Sequence, residues 1–396
     1  MARLYGYAMR IRGLTAGLGG KISPVTIAPK ETLGFFMVVS DYMLRAIELA
    51  ETARGQTGTN PLVGAVIVKN GQIIGEGYHH FYGGDHAEVD ALKNTRESAV
   101  GAELFVSLEP CCHHGKTPPC TDAIIAARIS KIHCAMVDPN PRVGGNGIRI
   151  LRDAGIEVTV GAHEREASQL NQAYIKYITT GLPFVTLKVA QTLDGKIADI
   201  DGNSKWITAE ESRLRVHQLR SQSDAVLIGG NTARLDNPRL TSHGVGDKDP
   251  LRLVLSKRNH ISNNLRLLTD NVDGKTILVT GQSLAQSAPA GEESSGLAVW
   301  RLPVDDHGNV DLSELLRFAG KRRIMNLLIE GGADVFSAFI RRNLVDKYLI
   351  VTAPKLLGNG KAWFSDDSRL IVEALALRID RTYAVGGDLW IEAYPR

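Results

Sequence analysis

Cysteine is scarce in this chain: four in 396 residues, three of them between positions 111 and 120. So small a number excludes a scaffold built on disulfides, and the crowding suits a metal site in a reducing compartment. Runs of about 18 apolar residues are missing, so no helix is expected to cross a membrane. An excess of either charge is missing too, with 46 Lys+Arg against 43 Asp+Glu. That balance excludes a protein that coats a polyanion, while leaving room for a local phosphate pocket. There is no internal repeat and no heptad pattern. What the chain does have is length and 43% hydrophobic residues, enough for two or three domains of about 150 residues, each with its own core.

The first thirty residues hold five basic side chains and no acid. Residues 1–36 show no helical or strand period and read as an unstructured extension, with a start near Met37. Ser40-Asp41 predicts the cap of a helix carrying Leu44, Ile47 and Ala50 on one face. Leu62–Lys69 and Gln72–Gly77 read as strands joined at Asn70-Gly71, a strong hairpin signal. Helices and strands then alternate: helix His86–Lys93, strand Leu104–Leu108, helix Thr121–Arg128, strand Lys131–Val137, helix Ile148–Ala154, strand Glu157–Val160 and helix Gln169–Tyr177. A Gly/Pro break at Thr179–Pro183 marks a boundary, giving domains 37–181 and 182–396. Beyond it, strands are predicted at Phe184–Val189, Ala225–Ile228, Leu251–Leu255, Thr276–Val279, Leu327–Ile329 and Tyr348–Thr352. Helices are predicted at Glu210–Arg220, Leu312–Ala319 and Asp334–Asn343, and residues 282–297 as a surface loop. This cadence is α/β in both halves.

The first half carries a metal constellation. His86-Ala87-Glu88 is followed by Pro110-Cys111 and then Cys120. One imidazole and two thiolates give zinc three protein ligands and leave a fourth position for water, the layout of a catalytic site. Zinc lowers the pKa of its water toward about 7. Glu88 is then no ligand but the carboxylate that carries the proton from water to the leaving nitrogen. Residues two apart on a regular helix point about 200° away from each other, so His86 and Glu88 meet one metal only if the helix begins at His86. Cys120 stands just before a predicted helix, where the dipole favours thiolate. Cys112 and Cys134 read as ordinary residues. His113 and His114 rank behind the cysteines as ligands and read first as substrate contacts.

The run Thr59-Asn60-Pro61-Leu62-Val63-Gly64, then Gly77-Tyr78-His79, His86-Ala87-Glu88-Val89 and Glu109-Pro110-Cys111-Cys112-His113-His114-Gly115-Lys116-Thr117-Pro118-Pro119-Cys120 resembles the bifunctional riboflavin-biosynthesis deaminase–reductase family. Other cytidine-type deaminases usually space the two cysteines as C-x-x-C, so the eight residues between them here are far more specific. The likeness continues through Val137-Asp138-Pro139-Asn140-Pro141 and covers about residues 38–396. It implies a cytidine-deaminase-like three-layer domain followed by a dihydrofolate-reductase-like domain. It implies a diaminohydroxypyrimidine substrate bearing a 5-phosphoribosylamino group, and it gives Asn60, His79, His113 and Lys116 the task of holding that substrate. Lys116 also suits a phosphate on simple grounds, as a flexible cation beside the cysteine loop.

In the second half, Leu187-Lys188-Val189-Ala190, Thr192-Leu193-Asp194-Gly195-Lys196, Ser204-Lys205-Trp206-Ile207-Thr208, Gly229-Gly230-Asn231-Thr232, Asp236-Asn237-Pro238 and Glu330-Gly331-Gly332-Ala333 follow in order. Two glycine pairs each end a predicted strand and the second opens a helix, which lets backbone approach a phosphate. No G-x-G-x-x-G follows the first strand, which argues against an ordinary Rossmann domain. These segments resemble the reductase half of the same family, whose cofactor is NADPH. That match implies NADPH contacts from Ala190, Trp206, Thr232, Asp236 and the loop Gly332, Ala333, Asp334, Val335, Phe336, Ser337 and Ala338. It implies substrate contacts from Ser204, Arg220, Leu240 and Glu330, with Lys188 and Asp236 near the ribose that accepts hydride. Two departures stand out: Thr241-Ser242-His243-Gly244 follows Leu240 where the family often has an Arg, and Ser256-Lys257 replaces an Asp-Ser or Asp-Thr pair.

Two other readings compete. A deaminase acting on nucleic acid would want a dense basic stripe, which the balanced charge does not provide. A zinc-stabilised binding module would close its metal with a fourth ligand, Cys112 or His113, and would not need Glu88. With the resemblance, the expectation is a cytoplasmic enzyme using Zn2+ and, as the resemblance implies, NADPH on a small molecule, with no nucleic-acid or membrane partner, assembled as a homo-oligomer.

Overall fold

The computed structural model describes residues 30–258, 260–270, 273–282, 297–366 and 370–396, with backbone alone for 30–39. Residues Ser40–Arg396 pack as one unit. The first part of the chain runs α1 (Lys30–Thr52), β1 (Gly64–Lys69), β2 (Gln72–Tyr78), α2 (Ala87–Lys93), β3 (Glu103–Val106), α3 (Cys120–Ala126), β4 (Lys131–Cys134), α4 (Asn146–Asp153), β5 (Glu157–Val160), α5 (Glu164–Leu170) and α6 (Gln172–Thr180). Its five strands form one sheet in the order β2-β1-β3-β4-β5. The hairpin β1–β2 and the pair β1–β3 are antiparallel, whereas β3, β4 and β5 are parallel. Asn70 and Gly71 both take positive φ, 51° and 74°, the geometry a two-residue hairpin turn requires.

Helices cover both faces of this sheet, and the pleat shows why. A Cβ on Gly64 would lie 2.0 Å from the carbonyl of Ala46 in α1, and one on Gly77 would lie 2.2 Å from the amide of Ala91 in α2. Gly77 pairs across the hairpin with Ala65, so those two share a face, and the neighbouring Gly64 points to the other. α1 and α2 therefore sit on opposite sides of β1 and β2, making three layers, each close approach resting on a missing side chain.

The second part continues with β6 (Phe184–Thr192), β7 (Lys196–Ala198), α7 (Glu210–Ser221), β8 (Ala225–Gly229), α8 (Gly230–Asp236), β9 (Leu251–Leu255), α9 (Arg266–Thr269), β10 (Thr276–Gln282), β11 (Ala298–Pro303), α10 (Leu312–Lys321), β12 (Asn326–Gly331), α11 (Ala333–Arg341), β13 (Lys347–Ala353), β14 (Lys361–Ala362), β15 (Leu377–Val385) and β16 (Asp388–Pro395). Nine strands form a mixed sheet, β11-β10-β9-β8-β12-β6-β13-β16-β15, and β7 and β14 pair separately. From β11 to β13 the neighbours run parallel, and β16 and β15 add an antiparallel edge. The central strands are buried on both faces, as Ala225, Val226 and Leu227 on β8 show, which is what a parallel sheet under helices demands. The carboxyl ends of β6, β8 and β12 lie side by side, and ligands of open α/β sheets bind at such ends.

The expected helix cap at Ser40-Asp41 is a correction. α1 begins at Lys30 and passes through Ser40 without interruption, and the Ser40 hydroxyl instead meets His163 Nε2 at 2.7 Å. Residues 30–36, expected to be unstructured, lie within that helix; residues 1–29 and most of the expected loop 282–297 lie outside the described residues. Several elements were not expected at all: α5, β7, α8, α9, β11, β14, β15 and β16.

Candidate active sites

The first site forms where two short helices begin. His86 is the residue before α2, with extended backbone (ψ 158°). Its carbonyl accepts from the Asp90 amide at 2.9 Å. Glu88 lies in the first turn, so the imidazole and the carboxylate reach one place although they are two residues apart. Cys120 opens α3 directly after Pro119. Cys111 reaches the same point through its loop, its carbonyl accepting from the Thr121 amide at 3.2 Å.

The ligating atoms of His86, Cys111 and Cys120 lie within 4.8 Å of one another. Both sulfurs face Nδ1 of the imidazole, at 3.4 Å for Cys111 and 3.3 Å for Cys120. Nε2 is 3.3 Å from Thr117 Oγ1. A proton on Nε2 shared with that hydroxyl leaves Nδ1 free as a lone-pair donor, the arrangement that orients metal-binding histidines. Two sulfurs and one imidazole nitrogen are a donor set that fits zinc. The Cys111 thiol is held low, to about 4, by hydrogen bonding from Cys120 and by His86, so a thiolate is available for metal. Cys112, His113 and His114 are not among the grouped ligand atoms.

Glu88 is 3% exposed. Burial, reinforced by nearby Cys111, pushes its carboxyl up to about 7. Its Oε2 accepts from the Cys120 thiol at 3.4 Å, which brings the carboxylate to the ligand cluster. Such a group can both take and return a proton near neutrality.

Of the expected substrate residues, His79 and Asn60 stand beside this centre, and His113 and Lys116 lie on the loop between its two cysteines. His79 is 3% exposed and its ring stands edge-on to His86, with centroids 5.4 Å apart. Its Nδ1 meets the carbonyl of Asp85 at 2.9 Å and its Nε2 the amide of Asn60 at 3.0 Å. That pattern places the proton on Nδ1, and burial lowers the pKa, so His79 is neutral and fixed. Lys116 Nζ lies 4.2 Å above the ring of Tyr82, a residue the sequence reading missed. His113 Nδ1 is buried without a hydrogen-bond partner. Leaving such an atom unmet costs about 1–3 kcal/mol, which a bound ligand would offset. Glu109, from the same motif, does a structural job: its buried carboxylate accepts from the amides of Asp138 (3.1 Å), Gly145 (2.9 Å) and Ile148 (3.2 Å), closing the start of α4.

The second site stands at the carboxyl ends of the parallel strands. The register Ile329↔Leu187 puts Glu330 on β12 level with Lys188 on β6, and their charged ends are 4.0 Å apart. Arg220, in the last turn of α7, grips the same carboxylate with two bonds of 2.6 and 3.0 Å. Burial alone would raise the Glu330 carboxyl, but Arg220 and Lys188 carry it below its usual value. Burial lowers Lys188. Arg220 also donates to the carbonyl of Thr241 at 3.2 Å.

Asp236 belongs to a second cluster. It ends α8, followed by Asn237 in the left-handed region (φ 41°). Its carboxylate accepts from Ser204 Oγ at 3.0 Å and its carbonyl from Lys205 Nζ at 2.8 Å. Trp206 is 64% exposed with Arg213 over its ring at 4.5 Å. Thr232 sits where a Cβ on Gly332 would come within 3.0 Å of its hydroxyl, and Gly332 has φ 89°. The start of α11 is half-buried at Gly332 and Ala333 and exposed at Asp334, whereas Val335, Phe336 and Ser337 are buried and Ala338 half-buried. Leu240 is buried at 3% in the core with Val226 and Leu328. Ala190 is half-buried on β6. Its neighbour Gln191, which the sequence reading missed, gives Nε2 to Thr352 at 3.2 Å and keeps Oε1 buried without a partner.

Comparisons with known proteins agree with this division of chemistry. Residues 38–136 match the cytidine and deoxycytidylate deaminase zinc-binding region, and residues 183–391 match the RibD C-terminal domain. The chain is 40% identical over 352 residues to the riboflavin biosynthesis protein RibD of Aquifex aeolicus, covering 89% of this chain and 97% of the relative. It is 39% identical over 332 residues to that of Escherichia coli, covering 80% and 88%. Among solved structures, Acinetobacter baumannii RibD superposes with a TM-score of 0.80 at 36% identity, over 91% of this chain and 99% of the other. A diaminohydroxyphosphoribosylaminopyrimidine deaminase/5-amino-6-(5-phosphoribosylamino)uracil reductase from Thermotoga maritima gives 0.81 at 37%, over 91% and 100%. With a zinc-type deaminase region and a RibD reductase region in one α/β chain, matched along nearly its whole length, the protein belongs to the RibD family of riboflavin biosynthesis enzymes.

Proposed function

We propose that the chain catalyses two successive steps. The first is hydrolytic deamination of 2,5-diamino-6-hydroxy-4-(5-phosphoribosylamino)pyrimidine. The second is NADPH-dependent reduction of the ribosyl group to ribityl, giving 5-amino-6-(5-phosphoribitylamino)uracil. The observation that carries the first step is the meeting of His86, Cys111 and Cys120 ligand atoms within 4.8 Å, with the Glu88 carboxylate 3.4 Å from one of them. Zinc held by those three side chains supplies a Lewis acid that activates water at neutral pH. Glu88 accepts a proton and delivers it to the departing amine. Neutral His79, held by Asn60 and Asp85, and Lys116 and His113 around it, orient the pyrimidine and its ribose phosphate.

For the second step, NADPH supplies the hydride. The backbone amides opening α11 and the backbone at Gly229–Gly230 suit its phosphates. Lys188 and Asp236 flank the ribose, Lys188 as a cation beside the ring-opening oxygen and Asp236 as the acid. Ser204 orients Asp236, and Arg220 and Glu330 hold substrate. The two steps fall to residues 37–181 and 182–396 respectively.

The chain is read as cytoplasmic and homo-oligomeric. All four cysteines are free thiols, which suits a reducing compartment, and among the described residues no helix is long and apolar enough to cross a membrane. Self-association is supported by the edge position of β15 in its sheet and by exposed apolar side chains, Ile379 (60% exposed) on that strand and Ile371 (90%) and Val372 (83%) shortly before it in the chain. One incubation tests the two-step reading. With substrate alone the protein should release ammonia and accumulate the deaminated ribosyl compound; adding NADPH should convert that compound and oxidise one NADPH per molecule. Ammonia release without NADPH oxidation would limit the function to deamination.

A further inference from the structure

One aromatic ring beside the deaminase centre touches three of the segments that the first step uses. Tyr82 lies on the loop that joins His79 to His86, where the amide of Gly84 donates to the carbonyl of Phe81 at 3.0 Å. Tyr82 and Gly83 are the central residues of that turn, and Gly83 takes the positive φ, 88°, that such turns give to glycine. The base of the Tyr82 side chain packs on Gly58, where an added Cβ would lie 3.5 Å from Tyr82 Cβ and 3.6 Å from Cγ. Gly58 belongs to the turn that presents Asn60. That turn is closed by the Asn60 amide on the Thr57 carbonyl and by the Thr57 hydroxyl on the Asn60 carbonyl, each at 3.0 Å. The third segment is the loop between the cysteines, whose Lys116 ammonium stands 4.2 Å above the centre of the ring.

The lysine is fixed at its root as well as at its tip. The Gly115 amide donates to the Thr117 carbonyl at 3.2 Å, so the chain folds sharply at Lys116. Thr117 in turn reaches His86 Nε2 at 3.3 Å, which ties that fold to the metal centre. The lysine stem runs along Gly83, where an added Cβ would lie 3.5 Å from Lys116 Cδ and 3.7 Å from Nζ. Among the described residues no carboxylate pairs with Lys116. Asp85, the acid on the same loop as Tyr82, is taken by Lys93 at 2.5 Å. An exposed ammonium with a ring on one side and no counter-charge keeps its N–H donors for an incoming anion.

We propose that Tyr82 is a positioning residue for the deaminase step: its ring holds the Lys116 ammonium where the substrate's phosphate docks, and so gives this site part of its preference for a phosphorylated substrate. The proposal rests on the reading that Lys116 meets that phosphate. A lysine free in solvent gives up its rotamer freedom when it meets an anion. A ring face beneath the ammonium attracts it and settles part of that ordering before substrate arrives. The attraction does not oppose the phosphate, because the ammonium has three donors and the ring occupies one side of it. Tyr82 acts through Lys116 and not on Glu88 or the metal ligands, so its effect falls on substrate binding and not on the chemical step.

The test measures ammonia release by the full, zinc-loaded chain from 2,5-diamino-6-hydroxy-4-(5-phosphoribosylamino)pyrimidine and from its dephosphorylated counterpart. Tyr82→Leu should raise KM for the phosphorylated compound about threefold to fivefold, the scale of an exposed cation–π contact. Its kcat should stay within about twofold and its zinc content should not change. KM for the dephosphorylated compound should stay within about 1.5-fold, since that compound gives Lys116 nothing to meet. Tyr82→Gln, which also lacks a ring but suits an exposed position, should repeat the result, and Tyr82→Phe should restore KM to within about twofold of the parent. On a Lys116→Ala background Tyr82→Leu should have no further effect, because nothing remains for the ring to hold. Equal losses on both compounds, or a loss that persists without Lys116, would make the ring a packing support for the Asn60 turn and overturn the proposal. A parent-like KM in the two ringless variants, with the phosphate preference lost in Lys116→Ala, would overturn it while leaving Lys116 in place. If Lys116→Ala keeps that preference, the reading of Lys116 is itself wrong and the proposal falls with it.

Discussion

The ion cluster at Lys188, Arg220 and Glu330 can be tested by removing one charge and nothing else. Glu330→Gln keeps the shape and one acceptor, but leaves Arg220 and Lys188 together with no buried counter-charge. The side chains are 12%, 11% and 6% exposed for Arg220, Lys188 and Glu330. Removing one member of such a buried pair typically costs about 3–5 kcal/mol. All three side chains keep some contact with solvent, which screens part of the loss, so the lower end, about 3 kcal/mol, is expected. For a domain of this size each kcal/mol moves Tm by about 2–4 °C, which gives a drop of roughly 6–12 °C. Scanning calorimetry of the full chain reads it, and the relevant transition is the one that added NADPH shifts upward. The deaminase should keep its rate in the same sample. A Tm within about 1 °C of the parent would refute the reasoning, because it would mean that solvent screens the cluster as it screens a surface pair.

Four further outcomes are expected. Glu88→Gln should retain about one zinc per chain by metal analysis yet release ammonia ~10²-fold more slowly, while still reducing substrate that is already deaminated; undiminished ammonia release would remove Glu88 from its role. Thr117→Val takes away the partner of His86 Nε2 and should weaken zinc about tenfold in a chelator competition. Asp236→Asn should keep the bond from Ser204, the melting temperature and NADPH affinity within a few-fold, and lose ~10²-fold in reductase turnover; a lower Tm with turnover intact would make Asp236 an anchor for the Ser204 loop only. Finally, a histidine whose pKa is depressed on folding leaves stability intact above the unfolded value of about 6.5 and removes it as pH falls toward the folded value. His217, lowered to about 4, should therefore cost stability as pH drops from 6.5, by on the order of 1 kcal/mol after allowing for its partial exposure. His217→Asn should flatten the Tm profile between pH 6.5 and 5.

How much was legible depended on whether a signal was local. Asn70-Gly71 states its turn in two residues, and the structure makes that turn. His86, Cys111 and Cys120 were readable because thiolate and imidazole chemistry is rare and their spacing limits the geometry. Ser40 misled because its hydroxyl, a plausible cap, is taken by His163, 123 positions away. The hairpin β15–β16 carried a readable signal in Gly386-Gly387, with φ of 58° and 87°. The strand signal is weak because β15 buries none of its side chains fully, all being open or half-open to solvent. α8 begins on a glycine and lasts seven residues, so propensity argues against it and packing after β8 decides. The Arg220–Glu330 grip joins residues 110 apart, and the rings of His217 and His243 meet with centroids 4.2 Å apart. Both follow from sheet register and loop shape, which periodicity does not reveal.

The shared acceptor at Asp346 has a consequence for anyone who would graft one half of this protein onto a foreign partner. Its Oδ2 accepts from the backbone amide of Val185 at 2.7 Å, on the first strand of the second sheet, and from Lys176 Nζ at 2.5 Å, on the last helix of the first half. Close by, a Cβ on Gly320 would lie 1.9 Å from the carbonyl of Gly181, and Tyr177 gives its hydroxyl to the Gly320 carbonyl at 3.2 Å. A cut in the short link between α6 and β6 thus removes the ammonium that steadies the strand's own anchor, and exposes a surface shaped to admit no side chain at position 320. A chimera needs α6 to travel with the reductase, or a donor half that brings its own lysine and hydroxyl to the same two acceptors.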